Sequence, residues 1–416
     1  MNGLYKHQRD IILADPKRTG LWLGTGSGKT LIALSLARGK TLVIAPKTQV
    51  EDKNWERENE KNKLNVNLTV ISKETFRRDH AKLPNFQTVI SDECHTQLGV
   101  TSGTKWVNKV EYPKTSQLFE ALQAYLKRTN PDRLYLCTAT ILKSAMTVWG
   151  AGTLLGKQWN FFEFRHAFYT FVHEVGPRGV WLPKTGTETK ERLARIVKSL
   201  GYVGRLEDYF DVPEQTFKTD YIELTGEQKQ RIKNMRTEYP DPLVRALKVH
   251  QIENGVLSGD EFNAPEKFAN NKIDKLIDYS YEFTRMIVFA RYTEQIKDIA
   301  QALKKTGKKV FVLNGETKDR GALFEEAKKS DEYVFIAQCT ISAGWELKKC
   351  PVMIFASCDY SFVNLDQALG RIQRADNIKK NLYIYLVVKG GTDEAIHKAL
   401  SMKQDFNEKL YAKEGK

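Results

Sequence analysis

The segment Leu21–Thr30, with the sequence LWLGTGSGKT, constrains the fold more than any other part of the chain. It begins as an apolar run of strand character that breaks at Gly24, and two more glycines, Gly26 and Gly28, follow at short spacing. Beyond them, apolar residues recur at helical spacing, at Leu31, Ile32, Leu34 and Leu36. A strand, a glycine-rich turn and a helix in this order predict a parallel α/β unit.

The same turn has the chemistry of a phosphate cradle. Backbone N–H groups of the loop and the positive end of the helix dipole would face an anion. Lys29 would reach the β- and γ-phosphates of a nucleotide, and the Thr30 hydroxyl would hold Mg²⁺. The full pattern has glycine where this chain has Leu23, and the alternative is a Gly/Ser/Thr turn before an ordinary helix. The predicted nucleotide contacts of the loop are Thr25, Gly26, Ser27, Gly28, Lys29 and Thr30.

The length, composition and net charge of the chain limit the class of protein it can be. A chain of 416 residues is too long for one core, so roughly two or three domains are expected. No apolar run reaches the roughly 18 residues that span a membrane, and no signal-peptide core is visible, so we expect a cytoplasmic protein, or one of the host cytoplasm if it is viral. Five cysteines without a C-x-x-C pair favour buried thiols over disulfides or zinc. The net charge of +14 suggests a polyanionic partner, although a solvated lysine-rich surface would give the same total.

Apolar runs alternate with helical patterns in both halves of the chain. The first half has predicted strands at Thr41–Ala45, Leu68–Ile71, Phe86–Ile90 and Arg133–Cys137. The second half has them at Met286–Ala290, Lys309–Leu313, Tyr333–Ala337, Val352–Ala356 and Leu382–Val388. This alternation favours α/β lobes with parallel sheets covered on both faces. We predict lobes at residues 1–145 and 214–416, an aromatic-rich helical insertion at 146–213 and a second helical insertion at about 225–270.

The first insertion concentrates aromatic rings at Trp149, Trp159, Phe161, Phe162, Phe164, Phe168, Tyr169 and Phe171. Because Lys157, Arg165 and His166 are interleaved with them, the rings could form a stacking surface for nucleic acid. The alternative, which we favour, is that the rings pack the core of the insertion. Before it, a polar loop containing Gly99 and Gly103 is expected.

Asp92 and Glu93 come just after the strand Phe86–Ile90. A carboxylate at the carboxyl end of a strand beside the phosphate-loop strand is placed to hold Mg²⁺ together with Thr30. We assign that role to Asp92, and to Glu93 the orientation and polarisation of an attacking water. The alternative is an acidic turn after a strand, which is a common structural feature.

The segment Gln367–Arg374 places two arginines, Arg371 and Arg374, three residues apart on one predicted helical face. A guanidinium is always ionised and presents a planar fork, which suits the charge that grows on a transferred phosphoryl group. A surface helix with two arginines is the alternative.

Taken together, these segments resemble superfamily-two helicases and translocases, most closely the Swi/Snf-like branch of double-stranded DNA translocases. Tyr5–Gln8 resembles the adenine-recognising Q motif, and Gly26–Thr30 is similar to motif I. Further similarities in the first lobe are Ala45–Thr48 with Trp55 and Glu58 (motif Ia), Val70–Phe76 (the next DNA-contacting motif), Asp92–His95 (motif II) and Thr138–Thr140 (motif III). Those in the second lobe are Ile287–Arg291, Leu313–Gly315, Thr340–Leu347 and Gln367–Arg374 (motifs IV, IVa, V and VI).

The resemblance implies two tandem RecA-like lobes that bind ATP and Mg²⁺ in a cleft between them, with Gln8 as the adenine contact. The residues it implies for hydrolysis are Lys29, Thr30, Asp92 and Glu93, with Gln367, Arg371 and Arg374 reaching the phosphates. Those that match nucleic-acid contacts are Lys47, Ser72, Asn314 and Thr340, and those that match coupling positions are His95, Thr138, Thr140 and Gly344. Three departures are Ile141, where motif III often continues with proline, Glu346, where motif V more often has Asp or Asn, and Cys94, which blurs the assignment of the acidic motif to one branch of the superfamily.

The implied function is an ATP-dependent DNA translocase or helicase that couples hydrolysis to movement along double-stranded DNA. The alternatives are a strand-separating or branch-migrating DNA helicase, an RNA helicase and, from another class, a nucleotide-regulated binding module. We expect a monomer without membrane contact, with replication or recombination proteins as further partners. The absence of a nuclease, methyl-lysine-reading or zinc segment suggests a compact viral or microbial member.

Overall fold

The computed structural model describes residues 4–107, 110–173, 179–210, 215–259, 264–341, 345, 347, 349–372 and 380–402. The chain divides into two compact units, Met1–Phe210 and Asp211–Lys416. Each unit contains one six-stranded sheet, and every strand pairing within these two sheets is parallel.

The first unit alternates strands and helices. Its strands are β1 (Arg18–Leu23), β2 (Thr41–Ala45), β3 (Leu68–Ser72), β4 (Thr88–Ser91), β5 (Val100–Val107), β6 (Val110–Thr115), β7 (Arg133–Cys137), β8 (Tyr169–Val172), β9 (Val180–Pro183) and β10 (Gly201–Gly204). Its helices are α1 (Lys6–Ala14), α2 (Lys29–Leu36), α3 (Lys47–Glu51), α4 (Asn54–Lys61), α5 (Lys73–Asp79), α6 (Gln117–Thr129), α7 (Ala145–Leu154), α8 (Phe161–Phe168) and α9 (Thr187–Leu200). The sheet has the order β10–β1–β7–β4–β2–β3, and β5–β6 and β8–β9 form separate hairpins.

Side chains of this sheet alternate between two hydrophobic cores. In β2, Leu42 and Ile44 belong to the core that contains residues of α6 and α7, whereas Val43 and Ala45 belong to the core that contains residues of α1, α2 and α4. Because successive side chains of a strand point to opposite faces, helices cover both faces of the sheet.

The strand order corrects one prediction. β4, which leads to Asp92, is not beside the phosphate-loop strand β1, because β7 lies between them and pairs with both. The sequence pattern gives the order of strands along the chain, but it does not encode their order across the sheet. As a result, the carboxyl end of β7 brings Thr138 between the phosphate loop and the acidic turn.

The aromatic residues of the insertion pack inside the first unit. Trp149, Phe161, Phe164 and Phe168 are buried and belong to the same hydrophobic core as the sheet residues Leu42 and Ile44. These four rings therefore pack in a core, which is the alternative that the sequence favoured over a nucleic-acid stacking surface. The segment also contains strands besides α7, α8 and α9, and its last strand, β10, pairs with β1 at the edge of the sheet.

The predicted polar loop around Gly99 and Gly103 is wrong, since β5 and β6 pair there as an antiparallel hairpin. Strand-favouring residues such as Val100 and Thr104 explain this extended structure. Trp106, near the tip, is 69% exposed, and Val107, Val110 and Tyr112 of the same hairpin are exposed as well.

The second unit has the same layered construction. Its strands are β11 (Thr216–Ile222), β12 (Val256–Leu257), β13 (Glu266–Lys267), β14 (Arg285–Ala290), β15 (Lys309–Leu313), β16 (Tyr333–Gln338), β17 (Val352–Phe355) and β18 (Leu382–Val388). Its helices are α10 (Gly226–Glu238), α11 (Pro242–Glu253), α12 (Asn271–Glu282), α13 (Thr293–Lys304), α14 (Arg320–Lys329), α15 (Phe362–Leu369) and α16 (Thr392–Ser401). The sheet has the order β11–β18–β17–β14–β16–β15, and β12 and β13 form a short separate pair.

The two faces of this sheet are again buried in different cores. Ile287 and Phe289 of β14 pack in one, and Met286 and Val288 pack in the other. The predicted fold of two tandem RecA-like lobes, each a parallel sheet flanked by helices, is confirmed. Within the described residues, no helix combines the length and the apolar character needed to cross a membrane.

Candidate functional site

The phosphate loop connects β1 to α2 in the geometry that its glycines predict. Gly26 and Gly28 have φ angles of 83° and 87°, in the left-handed region that favours glycine. The Ser27 hydroxyl donates to the carbonyl oxygen of Gly24 at 2.6 Å, which closes the turn, and Gly28 is the residue before the first turn of α2. The loop thus leads directly into a helix N-terminus, which is a suitable place for an anion.

Lys29 and Gln8 contact the loop itself. Lys29 Nζ donates to the carbonyl oxygens of Leu23 at 2.8 Å and Gly24 at 3.1 Å, so its ammonium lies over the start of the loop. The side chain of Gln8 is 4% exposed, and its Nε2 donates to the carbonyl oxygen of Ser27 at 3.1 Å. A Cβ on Gly28 would lie 2.3 Å from Gln8 Nε2, so a larger residue there would displace the Gln8 amide as well as strain the backbone at φ 87°. The role of Gln8 as the adenine contact stays a prediction.

Two aromatic residues near the end of the first unit also belong to this region. The His7 ring stacks on Tyr209 at a centroid distance of 3.9 Å, and Tyr5 meets Phe210 edge to face at 4.4 Å. His7 Nε2 lies 2.9 Å from the carbonyl oxygen of Ser27, so this aromatic cluster supports the loop. Sequence reasoning missed Tyr209 and Phe210 because they are about two hundred residues from the loop along the chain.

The acidic turn follows β4 as predicted. Asp92 is buried, and its Oδ1 accepts a hydrogen bond from the backbone N–H of Glu93 at 2.9 Å. Glu93 adopts a left-handed conformation with φ 43° and ψ 47°, which costs a residue other than glycine on the order of 1–3 kcal/mol. Such a conformation persists only where neighbouring groups hold it, and it is concentrated at functional sites.

The side chain of Glu93 has an unusual environment. Its Oε2 is buried and has no hydrogen-bond partner among the described residues, and the nearest cationic candidate is His95 Nδ1 at 3.4 Å. His95 Nδ1 in turn lies 2.8 Å from Thr138 Oγ1 and 3.3 Å from Thr140 Oγ1. The structure therefore brings together three of the predicted coupling residues and leaves one carboxylate oxygen of Glu93 able to accept a hydrogen bond.

The electrostatics of the turn favour a cation beside it. Burial and the neighbouring Glu93 carboxylate raise the pKa of Asp92 to about 6, while the ammonium groups of Lys73 and Lys29 act in the opposite direction. Two carboxylates in one buried turn repel each other, and a positive charge between them and a phosphate would relieve that repulsion. Lys73, which sequence reasoning did not single out, is buried against this turn.

The donor set suits Mg²⁺ better than a metal held by protein alone. Thr30 offers a hydroxyl and Asp92 a buried carboxylate, and Mg²⁺ takes its remaining ligands from phosphate and water. Among the described residues, no group of three or more His, Cys, Asp or Glu side chains is placed to hold a metal ion without such help. The residues present therefore fit a magnesium ion that arrives with a nucleotide.

The predicted nucleic-acid contacts lie at corresponding places in the two units. Lys47 and Ser72 follow or end the neighbouring strands β2 and β3, where Ala45 pairs with Ser72. Asn314 and Thr340 follow the neighbouring strands β15 and β16. Lys47 and Thr340 are exposed, whereas Asn314 is buried and its Oδ1 accepts the N–H of Glu316 at 3.0 Å. Their contact with nucleic acid stays a prediction.

The arginine segment differs from its prediction. Helix α15 ends at Leu369, so Arg371 does not lie on the predicted helical face; Gly370, a poor helix former, follows the last helical residue. Arg371 is buried, and its guanidinium donates to the carbonyl oxygens of Gln367 and Trp345, each at 2.7 Å. Arg374 and Gly344 lie outside the described residues.

A second buried charge cluster, in the second unit, was not predicted. We call it the Lys272 cluster, and it consists of His250, Glu253, Asn254, Lys272 and Asp393. Lys272 Nζ donates to Asp393 Oδ2 and, at 2.7 Å each, to Asn254 Oδ1 and the carbonyl oxygen of Ala356. His250 Nε2 lies 3.0 Å from Asp393 Oδ1. The Glu253 carboxylate accepts the backbone N–H groups of Thr392 at 2.8 Å and Asp393 at 2.9 Å.

Comparison with known proteins identifies part of the chain. Residues 270–376 match the family model described as the helicase conserved C-terminal domain, and this confirms the predicted helicase resemblance for those residues. The chain is also similar to a solved structure described as the Sulfolobus solfataricus SWI2/SNF2 ATPase core in complex with dsDNA, with a TM-score of 0.40 and 17% identity over 99% of this chain and 92% of that one. The strand order of the two sheets, rather than this distant similarity, establishes the fold. No curated protein matches the sequence.

Proposed function

We propose that this chain is a nucleic-acid-dependent ATPase that moves along double-stranded DNA. The observation that carries the proposal is the buried Glu93 Oε2 of the acidic turn, which accepts no hydrogen bond from the described residues, on a chain that also contains a phosphate loop and a match to the helicase C-terminal domain. A vestigial nucleotide-binding module would gain nothing from such an uncompensated polar atom, because leaving it without a hydrogen bond costs about 1–3 kcal/mol.

In the proposed reaction, a water molecule donates a hydrogen bond to Glu93 and attacks the γ-phosphorus of ATP in line with the bond to the β–γ bridging oxygen. That bond breaks, ADP and inorganic phosphate form, and the proton of the water passes to the phosphate or to Glu93. Lys29 would leave the loop carbonyls to bind the phosphates. Mg²⁺, when held by Thr30 and Asp92, would supply positive charge to the phosphate oxygens.

Duplex DNA is the proposed track because Ala45–Thr48, with Trp55 and Glu58, resembles motif Ia of the Swi/Snf-like branch. Lys47, Ser72, Asn314 and Thr340 are proposed as backbone contacts. Contacts of lysine with phosphate release counterions, so binding should weaken as salt rises. The contribution of Gln367, Arg371 and Arg374 to hydrolysis stays a prediction from motif VI.

A second candidate function, strand separation, is favoured by the hairpin β5–β6. Trp106 and Tyr112 are exposed there and offer aromatic faces on which unpaired bases can stack. Trp106→Ala would then reduce unwinding of forked DNA and leave ATP hydrolysis with duplex DNA unchanged.

The test is ATP hydrolysis measured side by side with duplex DNA, single-stranded DNA and RNA, together with triplex displacement and forked-duplex unwinding. We expect the largest stimulation by duplex DNA, and triplex displacement without unwinding. Stimulation by RNA alone would contradict the proposal. Lys29→Ala should abolish hydrolysis, and near wild-type stimulated turnover in this variant would show that the nucleotide site is wrongly assigned.

A further inference from the structure

A buried lysine lies beneath the acidic turn. Lys73 is 7% exposed and is the first residue of α5, directly after Ser72. Lysine side chains are rarely buried unless a partner holds the ammonium group. The partners of Lys73 are therefore informative.

These partners belong to the acidic turn. Lys73 Nζ donates to the backbone carbonyl oxygen of Glu93 at 2.8 Å and to Thr96 Oγ1 at 2.6 Å. The Thr96 hydroxyl also donates to the same carbonyl oxygen at 3.1 Å and the Thr96 backbone N–H does so at 3.2 Å, so three groups bind one oxygen. Neither contact is an ion pair with a carboxylate, and both act on the turn that orients Glu93.

The backbone conformation of Glu93 needs support from these contacts. Its left-handed backbone, with φ 43°, is disfavoured for a side chain of this kind and needs support from its surroundings. Lys73 and Thr96 hold the carbonyl oxygen of that very residue. Without them, the turn would relax toward an ordinary conformation and the carboxylate would move away from its present position.

The other end of Lys73 is fixed to the predicted nucleic-acid contact. Ser72 pairs with Ala45 across β3 and β2, and its Oγ accepts the N–H of Thr75 at 3.1 Å as the cap of α5. A displacement of this cap by a DNA phosphate would move the Lys73 backbone with it. The connection from Ser72 to Glu93 then passes through one side chain.

We propose that Lys73 is a positioning residue that holds Glu93 in its left-handed conformation and transmits nucleic-acid contact at Ser72 to the acidic turn. This inference rests on the proposed function for its second half only. It predicts that Lys73 affects turnover and not the affinity for ATP or DNA, because it touches neither ligand.

The experiment compares Lys73→Met with Lys82→Met, the same substitution at an exposed lysine of the same unit. We expect Lys73→Met to lower DNA-stimulated kcat by roughly 10- to 100-fold, within the range that misplacement of a catalytic group produces, with the KM for ATP and the Kd for DNA changed less than about twofold. Lys82→Met should behave as wild type. Thr96→Val, which removes the hydroxyl from the Glu93 carbonyl and keeps the Thr96 backbone N–H there, should lower kcat several-fold and keeps the proposal testable if Lys73→Met does not fold.

A readout that does not need activity separates this inference from the proposed function. Amide hydrogen exchange of residues 92–97 should become faster in Lys73→Met, because the Thr96 N–H donates to the Glu93 carbonyl oxygen at 3.2 Å. Wild-type kcat and exchange in Lys73→Met would overturn the inference, and so would a fall in thermal midpoint alone. If DNA did not stimulate ATP hydrolysis by the wild-type protein, the proposed translocase function would be wrong. The hydrogen-exchange data would still decide whether Lys73 positions Glu93.

Discussion

The two units each bury a lysine beside two carboxylates, but they satisfy the charges differently. In the Lys272 cluster, both oxygens of Glu253 and both oxygens of Asp393 accept hydrogen bonds. In the acidic turn of the first unit, Lys73 binds a backbone carbonyl and a hydroxyl, and Glu93 Oε2 has no hydrogen bond from the described residues. Full satisfaction is what a structural cluster needs, whereas an open acceptor beside a phosphate loop suits chemistry.

The comparison teaches that burial of charge does not by itself mark an active site. Both clusters are more than nine-tenths buried at their lysines, and both lie near the carboxyl ends of parallel strands. Among the described residues, what separates them is whether every carboxylate oxygen accepts a hydrogen bond. Substitutions in the first cluster should therefore change turnover, and substitutions in the second should change the free energy of unfolding.

The largest effect is expected for Glu93→Gln. The amide keeps the size of the side chain but loses the negative charge that polarises water, so kcat should fall by about 10²- to 10⁴-fold. The thermal midpoint should stay within about 2 °C of wild type, because Oε2 accepts no hydrogen bond from the described residues and its contact with His95 Nδ1 is 3.4 Å long. Glu74→Gln, at an exposed position of α5, is the matched control. A large loss of stability with normal turnover would reverse the assignment of the two clusters.

Lys272→Met should produce the opposite pattern. Removing the ammonium leaves the buried carboxylate of Asp393 without its main partner, which should lower the free energy of unfolding by about 3–5 kcal/mol. Urea denaturation measures this, and Lys305→Met, at an exposed lysine, should be near neutral. Turnover per folded molecule should be unchanged; a selective loss of kcat would mean that the Lys272 cluster takes part in the reaction.

Arg371 and Arg374 extend the comparison to the arginine segment. Because the Arg371 guanidinium binds two backbone carbonyls, Arg371→Ala should cost about 1–3 kcal/mol of stability. Arg374→Ala should abolish hydrolysis with nucleotide binding largely kept, as motif VI predicts. Fluorescent-nucleotide titration and thermal unfolding of both variants test this, and equal loss of binding and hydrolysis in Arg374→Ala would argue for a structural role.

The smallest effect concerns pH. Burial and the Asp393 carboxylate raise the pKa of Glu253 to about 8 from its ordinary value of 4.5. Folding therefore takes up a proton, so this contribution to stability is complete below about pH 4.5 and is lost as pH rises through about 8. The slope is at most about 1.4 kcal/mol per pH unit for one proton. Burial raises the pKa of Asp393, but Lys272 and His250 outweigh it and hold that pKa below its usual range. Asp393 therefore changes the stability only in acid.

Unfolding of the wild type at pH 6, 7 and 8 measures this slope. Glu253→Gln should flatten it, while Glu282→Gln, at an exposed position, should leave it as it is. A wild-type stability that rises across this interval would contradict a raised pKa at Glu253.

The phosphate loop, the acidic turn and the two sheets could be predicted because each depends on neighbours in sequence. Gly26 and Gly28 supply their own backbone freedom, and the continuous apolar runs of β2 and β14 predict strands that are buried on both faces. The position of β7 between β1 and β4 could not be predicted, since strand order depends on contacts between distant segments. Lys73 and Lys272 were missed for the same reason: a lysine in a helical pattern reads as exposed until its distant partners are known.

The edge position of β10 has a consequence for synthesis of the chain. β1 carries the phosphate loop, yet its two sheet partners, β7 and β10, begin about 110 and about 180 residues after β1 ends. At the usual rates of translation, β1 waits on the order of 10 s for its first partner and longer for its second. During this interval, an apolar strand with two open edges leaves the ribosome without a sheet to join. The start of the phosphate loop is therefore completed only after Gly204 has been made, when the backbone N–H of Gly24 finds its acceptor.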